Sequence, residues 1–330
     1  MTRWGYTNDS YMREIVDKMR EENIPLESQF VDIDYFDSYR DFTNDGNSFG
    51  KLREHVEYLH QNGQKFVPIL DNAIPITMND TDEYEPYTDG HERDVFMKNP
   101  NGTEYIGRVW PGYTVFPDFY AENTYAWWRD SIKKWWDAIP FDSSIWLDMN
   151  EPSSFCSGSC GTGKGPLEQY QPTPVTDWPE GYDNTTSGSS GNYTIDGELT
   201  YMQKPKSNRR NQLGRRMGTL ETVDGNIDAI TLPPYTPHSG TPDAEPKLLG
   251  DHLVSTNATH ANGFTEYDVH NANGHVAGIA THKALLELFP ERRPLIIARS
   301  TFVSGGKYTQ HWLGDNYSRK RKILYLSTLS

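Results

Sequence analysis

Residues Ser144–Pro152 read SIWLDMNEP. A short apolar run goes straight into an acid, Asp148, and a polar turn ends it, which is the pattern of a buried strand rather than a helix. The same design recurs at Phe30–Tyr35 (FVDIDY), Lys65–Asp71 (KFVPILD) and Pro294–Ser300 (PLIIARS). Between these runs lie Ser10–Glu22, Phe49–Asn62, Asn123–Ala138 and Val276–Leu288, whose apolar residues recur at steps of three and four and predict helices. Alternating strands and helices imply an α/β protein with a parallel sheet. Asp32, Asp71, Asp148, Arg299 and Asp315 fall at or near the ends of successive apolar runs. A (β/α)8 barrel gathers such positions on one face, whereas a dinucleotide-binding sheet requires a G-x-G-x-x-G turn that the first strand lacks.

Two long excursions interrupt the alternation. Residues 74–119 are rich in Asp, Tyr, Pro and Gly, and residues 156–263 are polar with little periodicity. Both are expected over the C-terminal face of the sheet, with the stretch from Gly181 to Thr194 the most mobile. Five or six strand candidates are visible where a barrel needs eight. The expectation is therefore a partial TIM barrel across residues 1–330, interrupted by these two insertions.

With 46 acidic and 31 basic residues the formal charge is -15, which disfavours the phosphate backbone of nucleic acid as a partner. The nine Trp and twenty Tyr suit a hydroxyl-rich ligand, since aromatic faces stack on the apolar faces of sugar rings, but they equally suit core packing. Cys156 and Cys160 are spaced C-x3-C, compatible with a small disulfide in an oxidising compartment or with two inert thiols, and no further Cys or His completes a zinc site. N-x-[ST] triplets begin at Asn8, Asn79, Asn101, Asn184, Asn192, Asn257 and Asn316, a pattern of glycan acceptors in secreted proteins. The opening MTRWGYTNDS lacks the apolar core of a signal peptide, and no membrane span is expected.

Glycosidic hydrolysis takes two carboxyl groups, one ionised and one protonated, on either side of the anomeric carbon. Asp148 follows Trp146 and precedes Glu151; Asp315, in HWLGDN, follows His311, Trp312 and Gly314. An indole wall excludes water and raises the pKa of one acid, while Arg299 holds another ionised. An isolated Asp at a strand end more often caps a helix, so the pairing with Trp matters. His238, His252 and His260 fall in the long insertion and are expected to be solvated.

The segments RWGY (Arg3–Tyr6), VDIDYFDSYRDFT (Val31–Thr43), RVWPGYTVFPDF (Arg108–Phe119), IWLDMNEPSSF (Ile145–Phe155), YDVHN (Tyr267–Asn271), ARSTF (Ala298–Phe302) and HWLGDN (His311–Asn316) together resemble glycoside hydrolase family 31, especially its secreted fungal α-glucosidases and glucoamylases. The resemblance implies a retaining exo-α-glucosidase acting on α-glucan oligosaccharides by double displacement, with Asp148 as nucleophile and Asp315 as general acid/base. It implies substrate contacts from Asp32, Ile33, Ile69, Asp71, Trp110, Trp146, Met149, Arg299 and Trp312, with Glu151 and His311 in support. No metal or cofactor is needed for this chemistry, and an extracellular or secretory location is implied for the parent protein.

The family also carries a β-sandwich before the barrel and further strands and β-domains after it. This chain starts near the end of the first strand and stops before the last two, so an incomplete barrel without a late-strand His is expected. The tail from Asn316 to Ser330 and the residues Ala272 and Asn273 depart from the family pattern, as in a truncated, frameshifted or degenerate copy. Competing readings are an α-xylosidase or transglucosidase of the same family, and a catalytically inactive sugar-binding remnant.

Overall fold

The computed structural model describes residues 4–77, 82–155, 159–160 and 253–314. The first helix, α1 (Asp9–Glu21), begins where the Asn8 side chain accepts a hydrogen bond from the Tyr11 amide at 2.7 Å. Asp9 in its first turn and Lys18 and Arg20 in its last complement the helix dipole, and Met12 and Val16 form its buried face. Helix α2 (Leu52–Gln61) buries Leu52, His55, Val56 and Leu59, the spacing expected of one helix face.

Five strands, β1 (Ser28–Val31), β2 (Lys65–Asp71), β6 (Ser144–Asp148), β7 (Leu295–Ala298) and β8 (Gln310–His311), form one sheet in that order. Every pairing in it is parallel. A doubly wound sheet reverses its strand order at a switch point, but here each strand lies beside its predecessor in the sheet, which is how a (β/α)8 barrel winds. Register places Phe30 opposite Val67, Asp71 opposite Asp148, and Leu147 opposite Ala298.

Helix α4 (Thr124–Ala138) presents Trp127, Trp128, Ile132 and Trp135 to the core, and α6 (Asn273–Leu288) lies against it. The Trp128 indole N–H donates to Thr281 Oγ1 at 3.0 Å across that contact, so the largest apolar side chains are buried without orphaning this donor. Phe42 meets Trp128 and Trp135 edge-on, tying the loop after β1 into the same core.

The excursion after β2 has structure of its own. Strands β3 (Ile74–Pro75), β4 (Gly107–Val109) and β5 (Gly112–Val115) form a small antiparallel sheet in the order β3-β5-β4, with α3 (Glu85–Glu92) between β3 and β4. A Cβ on Gly107 would stand 2.4 Å from the Phe116 ring, so only glycine permits this approach. A second apolar cluster joins Met97, Tyr105, Val109 and Phe116 from this excursion to Met149, and to Val254 and Ala258 from the returning end of the long insertion.

One strand ends earlier than the sequence pattern suggested. FVDIDY reads as extended to Tyr35, but β1 stops at Val31 because the Asp32 side chain accepts from the Ile33 amide at 2.8 Å and starts a 3-10 turn, Ile33–Tyr35. The stretch from Gly181 to Thr194 and most of the second insertion lie outside the described residues. Among the described residues, no helix is long and apolar enough to cross a membrane.

Candidate active site

Strand ends assemble the charged groups. Asp71 and Asp148 are the last residues of β2 and β6 and stand opposite each other in register. Asp32 and Arg299 are the first residues after β1 and β7. The Arg299 amide donates to the Leu147 carbonyl at 3.0 Å, which continues the ladder one residue beyond β7 and aims the guanidinium at the end of β6.

Arg299 is the centre of the arrangement. Its Nη1 donates to Asp148 Oδ2 at 3.2 Å, and Nε and Nη2 donate to Glu151 Oε1 and Oε2 at 2.8 and 2.9 Å. The planar fork matches Glu151 with two parallel bonds and leaves a third nitrogen for Asp148. Burial pulls the guanidinium pKa down, but the Glu151 bonds and the charges of Asp148, Glu151 and Asp71 outweigh it and hold it above its ordinary value. The chain leaves β6 through Met149 in the left-handed region (φ 52), an uncommon conformation for a non-glycine residue, and Met149 Sδ stands 3.0 Å from Arg299 Nη2.

Asn150 locks this turn from behind. It is fully buried; its Nδ2 donates to the Ser300 carbonyl at 3.1 Å and its Oδ1 accepts from the Ser300 amide at 2.8 Å. Asp71 is 4% exposed, and its amide donates to Asp41 Oδ1 at 2.8 Å. Burial first, then the charges of Asp41 and Asp148, push the Asp71 carboxyl well above the usual carboxylate range, with Arg299 opposing. Burial likewise raises Asp41. The Tyr35 hydroxyl donates to the Ile69 carbonyl at 3.0 Å, and the Tyr84 hydroxyl donates to the Asp41 carbonyl at 2.9 Å.

One wall is aromatic. The Trp146 and Trp312 rings lie 4.4 Å apart between centroids, and Phe30 stacks on Trp312 at 6.1 Å. The indole N–H groups of Trp146 and Trp312, together with Asp71 Oδ1, are buried with no hydrogen-bond partner among the described residues. Trp110, 38% exposed, meets Phe155 edge-on at 4.9 Å. Ile33, Ile69 and Met149 are buried.

The structure thus joins Asp71, Asp148, Met149, Glu151 and Arg299, and sets Trp146 against Trp312 with their rings tilted by 39°. His311 is exposed, its Nδ1 3.4 Å from Thr301 Oγ1. Asp315 lies outside the described residues, as do Cys156, His238 and His252; Cys160 is disulfide-bonded. His260, expected to be solvated, is buried between Asp118 and Glu266, because two carboxylates distant from one another in sequence converge on its ring. Asn273, which departs from the family pattern, is buried as well and donates to Glu266. Sequence reasoning passed over Asp41 and Asn150, although both stand inside quoted segments, at VDIDYFDSYRDFT and IWLDMNEPSSF.

Known proteins are similar to this chain over nearly all of its length. The family model described as "Glycosyl hydrolases family 31 TIM-barrel domain" matches residues 1–327. Glucoamylase 1 of Candida albicans is 44% identical over 331 residues, covering 96% of this chain and 34% of the relative. An α-glucosidase of Aspergillus oryzae is 38% identical over 330 residues, covering 96% and 33%. The chain therefore spans about a third of the length of the curated relatives it matches. Among solved structures, the glucosidase II alpha subunit superposes with a TM-score of 0.61 at 21% identity, covering 96% of this chain and 24% of that one. A family 31 α-glucosidase from Bacteroides thetaiotaomicron superposes at 0.56 and 24% identity, covering 97% and 36%. These structures share the fold; the family model and the fungal relatives show that the chain belongs to glycosyl hydrolase family 31, through its TIM-barrel domain.

Proposed function

We propose that the chain is the barrel segment of a retaining exo-α-glucosidase that releases terminal α-1,4-linked glucose from maltose, malto-oligosaccharides and starch. The observation that carries this reading is Arg299 spanning Asp148 and Glu151 at the C-terminal strand ends. A nucleophilic carboxylate must be ionised and aimed, and a fixed guanidinium does both. Asp148 attacks the anomeric carbon while Asp315 protonates the departing oxygen; Asp315 then takes a proton from water, which opens the glucosyl ester on Asp148. This path requires the two carboxyl groups about 5–5.5 Å apart.

Asp71 complements this chemistry. Burial favours its neutral carboxyl, the form that donates to a sugar hydroxyl. Its Oδ1 and the indole N–H groups of Trp146 and Trp312 are buried polar atoms that a hydroxyl-rich ligand satisfies. Asp32 binds hydroxyls of the terminal sugar, and Ile33, Ile69, Trp110 and Met149 shape the apolar lining. The relatives named glucoamylase and α-glucosidase support a glucosyl substrate. The N-x-[ST] triplets and the disulfide at Cys160 support a parent protein made in the secretory pathway.

The test is the anomer of glucose first released from 4-nitrophenyl α-glucoside, followed by proton NMR before mutarotation. Retention predicts the α anomer of glucose; initial release of the β anomer would refute double displacement.

A further inference from the structure

The buried cluster around His260 has no place in the chemistry above, yet it touches the same framework. His260 Nδ1 lies 2.8 Å from Asp118 Oδ1 and Nε2 lies 3.0 Å from Glu266 Oε2. The imidazole side chain is 0% exposed and the two carboxylates 3% and 1%. An imidazole whose two nitrogens both face carboxylates is satisfied when it carries both protons. Asp118 follows the antiparallel sheet of the first excursion, whereas His260 belongs to the returning end of the second. Asp118 Oδ2 also accepts from the Ala261 amide at 2.7 Å, and Tyr120 packs edge-on to the imidazole at 5.2 Å.

Glu266 extends the cluster toward the strand ends. It lies in the short helix α5 (Glu266–Val269), whose capping box is formed by Thr265 and Asp268. Both of its oxygens accept from Asn273 Nδ2 at 2.7 Å, at the start of α6. The next residue, Gly274, lies so close to Ser300 that a Cβ there would meet Ser300 Oγ at 2.5 Å, and its carbonyl is 3.4 Å from Asn150 Nδ2. Ser300 adjoins Arg299, and Asn150 lies between Asp148 and Glu151 in the chain.

On the reading that Asp148 is the nucleophile, we propose that His260 is a positioning residue: clamped between Asp118 and Glu266, it pins the start of α6 against Asn150 and Ser300 and thereby holds Arg299 on Asp148. The unbroken series of contacts is the physical route for such coupling. Burial alone lowers the His260 pKa, but the bonds and charges of Asp118 and Glu266 carry it up to about 9. The other titratable groups in this neighbourhood are Tyr120, Tyr105, Asp268 and His270, so the clamp opens on the alkaline side as His260 loses its second proton.

The experiment uses the full chain with two readouts: hydrogen exchange at the Ser300 amide, and covalent labelling by a cyclophellitol-type α-glucosidase inactivator. His260→Gln is expected to speed Ser300 exchange and slow labelling by roughly tenfold each, within the range that such networks transmit. Exchange in α1 stays unchanged, as does the inactivator concentration giving half-maximal rate. Glu266→Gln supplies the reading that packing alone does not move. Its amide nitrogen donates to Nε2 and its oxygen still accepts from Asn273, so the bonds survive with a neutral imidazole. In this variant the alkaline loss of Ser300 protection seen in wild type is therefore expected to disappear. A folded His260→Gln chain with wild-type exchange at Ser300 overturns the proposal, and so does a Glu266→Gln chain that still opens at alkaline pH as wild type does; if His260→Gln does not fold, Glu266→Gln decides. If wild type takes no label while exchange behaves as expected, the glucosidase reading fails and the clamp stands.

Discussion

The clusters of Arg299 and His260 each set a pair of carboxylates around one cation, and they differ in how much water reaches them. At the strand ends, Arg299 lies between Asp148 and Glu151 with the cation 29% exposed and the carboxylates 11% and 27%. Behind them, His260 lies between Asp118 and Glu266 with almost no exposure. A guanidinium keeps its charge at any pH a protein tolerates, so the first cluster presents a fixed field to a ligand. An imidazolium holds its charge only through its partners, so the second makes a rigid internal joint that depends on pH. The partly open cluster has the geometry for chemistry, and the closed one has the geometry for support.

That contrast breaks in a definite order. Asp148→Asn should reduce turnover of maltose to background while the unfolding transition stays in place, because it removes the proposed nucleophile and keeps the shape. His260→Ala should lower unfolding free energy by about 3–5 kcal/mol in urea titrations, since two carboxylates lose the cation buried between them. The pH dependence sharpens the same point. His260 is raised from 6.5 to about 9, so its stabilisation is complete below about pH 6.5 and is lost as pH climbs through 9. Chemical denaturation at several pH values should show a decline on the order of 3 kcal/mol over that window, absent in His260→Ala. Arg299→Lys removes the fork but keeps the charge, and kcat should fall roughly thirtyfold, about 2 kcal/mol, with little change in stability. Trp128→Phe, which deletes the bond to Thr281, should cost about 1 kcal/mol of stability and leave kcat unchanged.

Much of the open cluster was legible in the sequence because strands announce their ends. KFVPILD and SIWLD are strands over the residues read, and Asp71 and Asp148 are their last residues. FVDIDY misled because alternating apolar and acidic residues mimic a strand, whereas the Asp32 side chain starts a turn instead. The small sheet of residues 74–77 and 82–119 escaped notice, since strands of two to four residues are too short to show a period. His260 was misread for a different reason. Its own neighbours, THANGFTEY, are polar, and its burial depends on Asp118, 142 residues away. A long-range pair of that kind leaves no local pattern, and the same holds for the bond from Asp71 to Asp41.

Asp148 is the group proposed to attack the sugar. Incubating the folded chain with a cyclophellitol-type α-glucosidase inactivator, digesting it and sequencing the peptides by mass spectrometry tests it directly. A single glycosyl adduct on Asp148, lost in Asp148→Asn, is the expected result. A folded chain that takes no adduct, or takes it on another carboxylate, would contradict it.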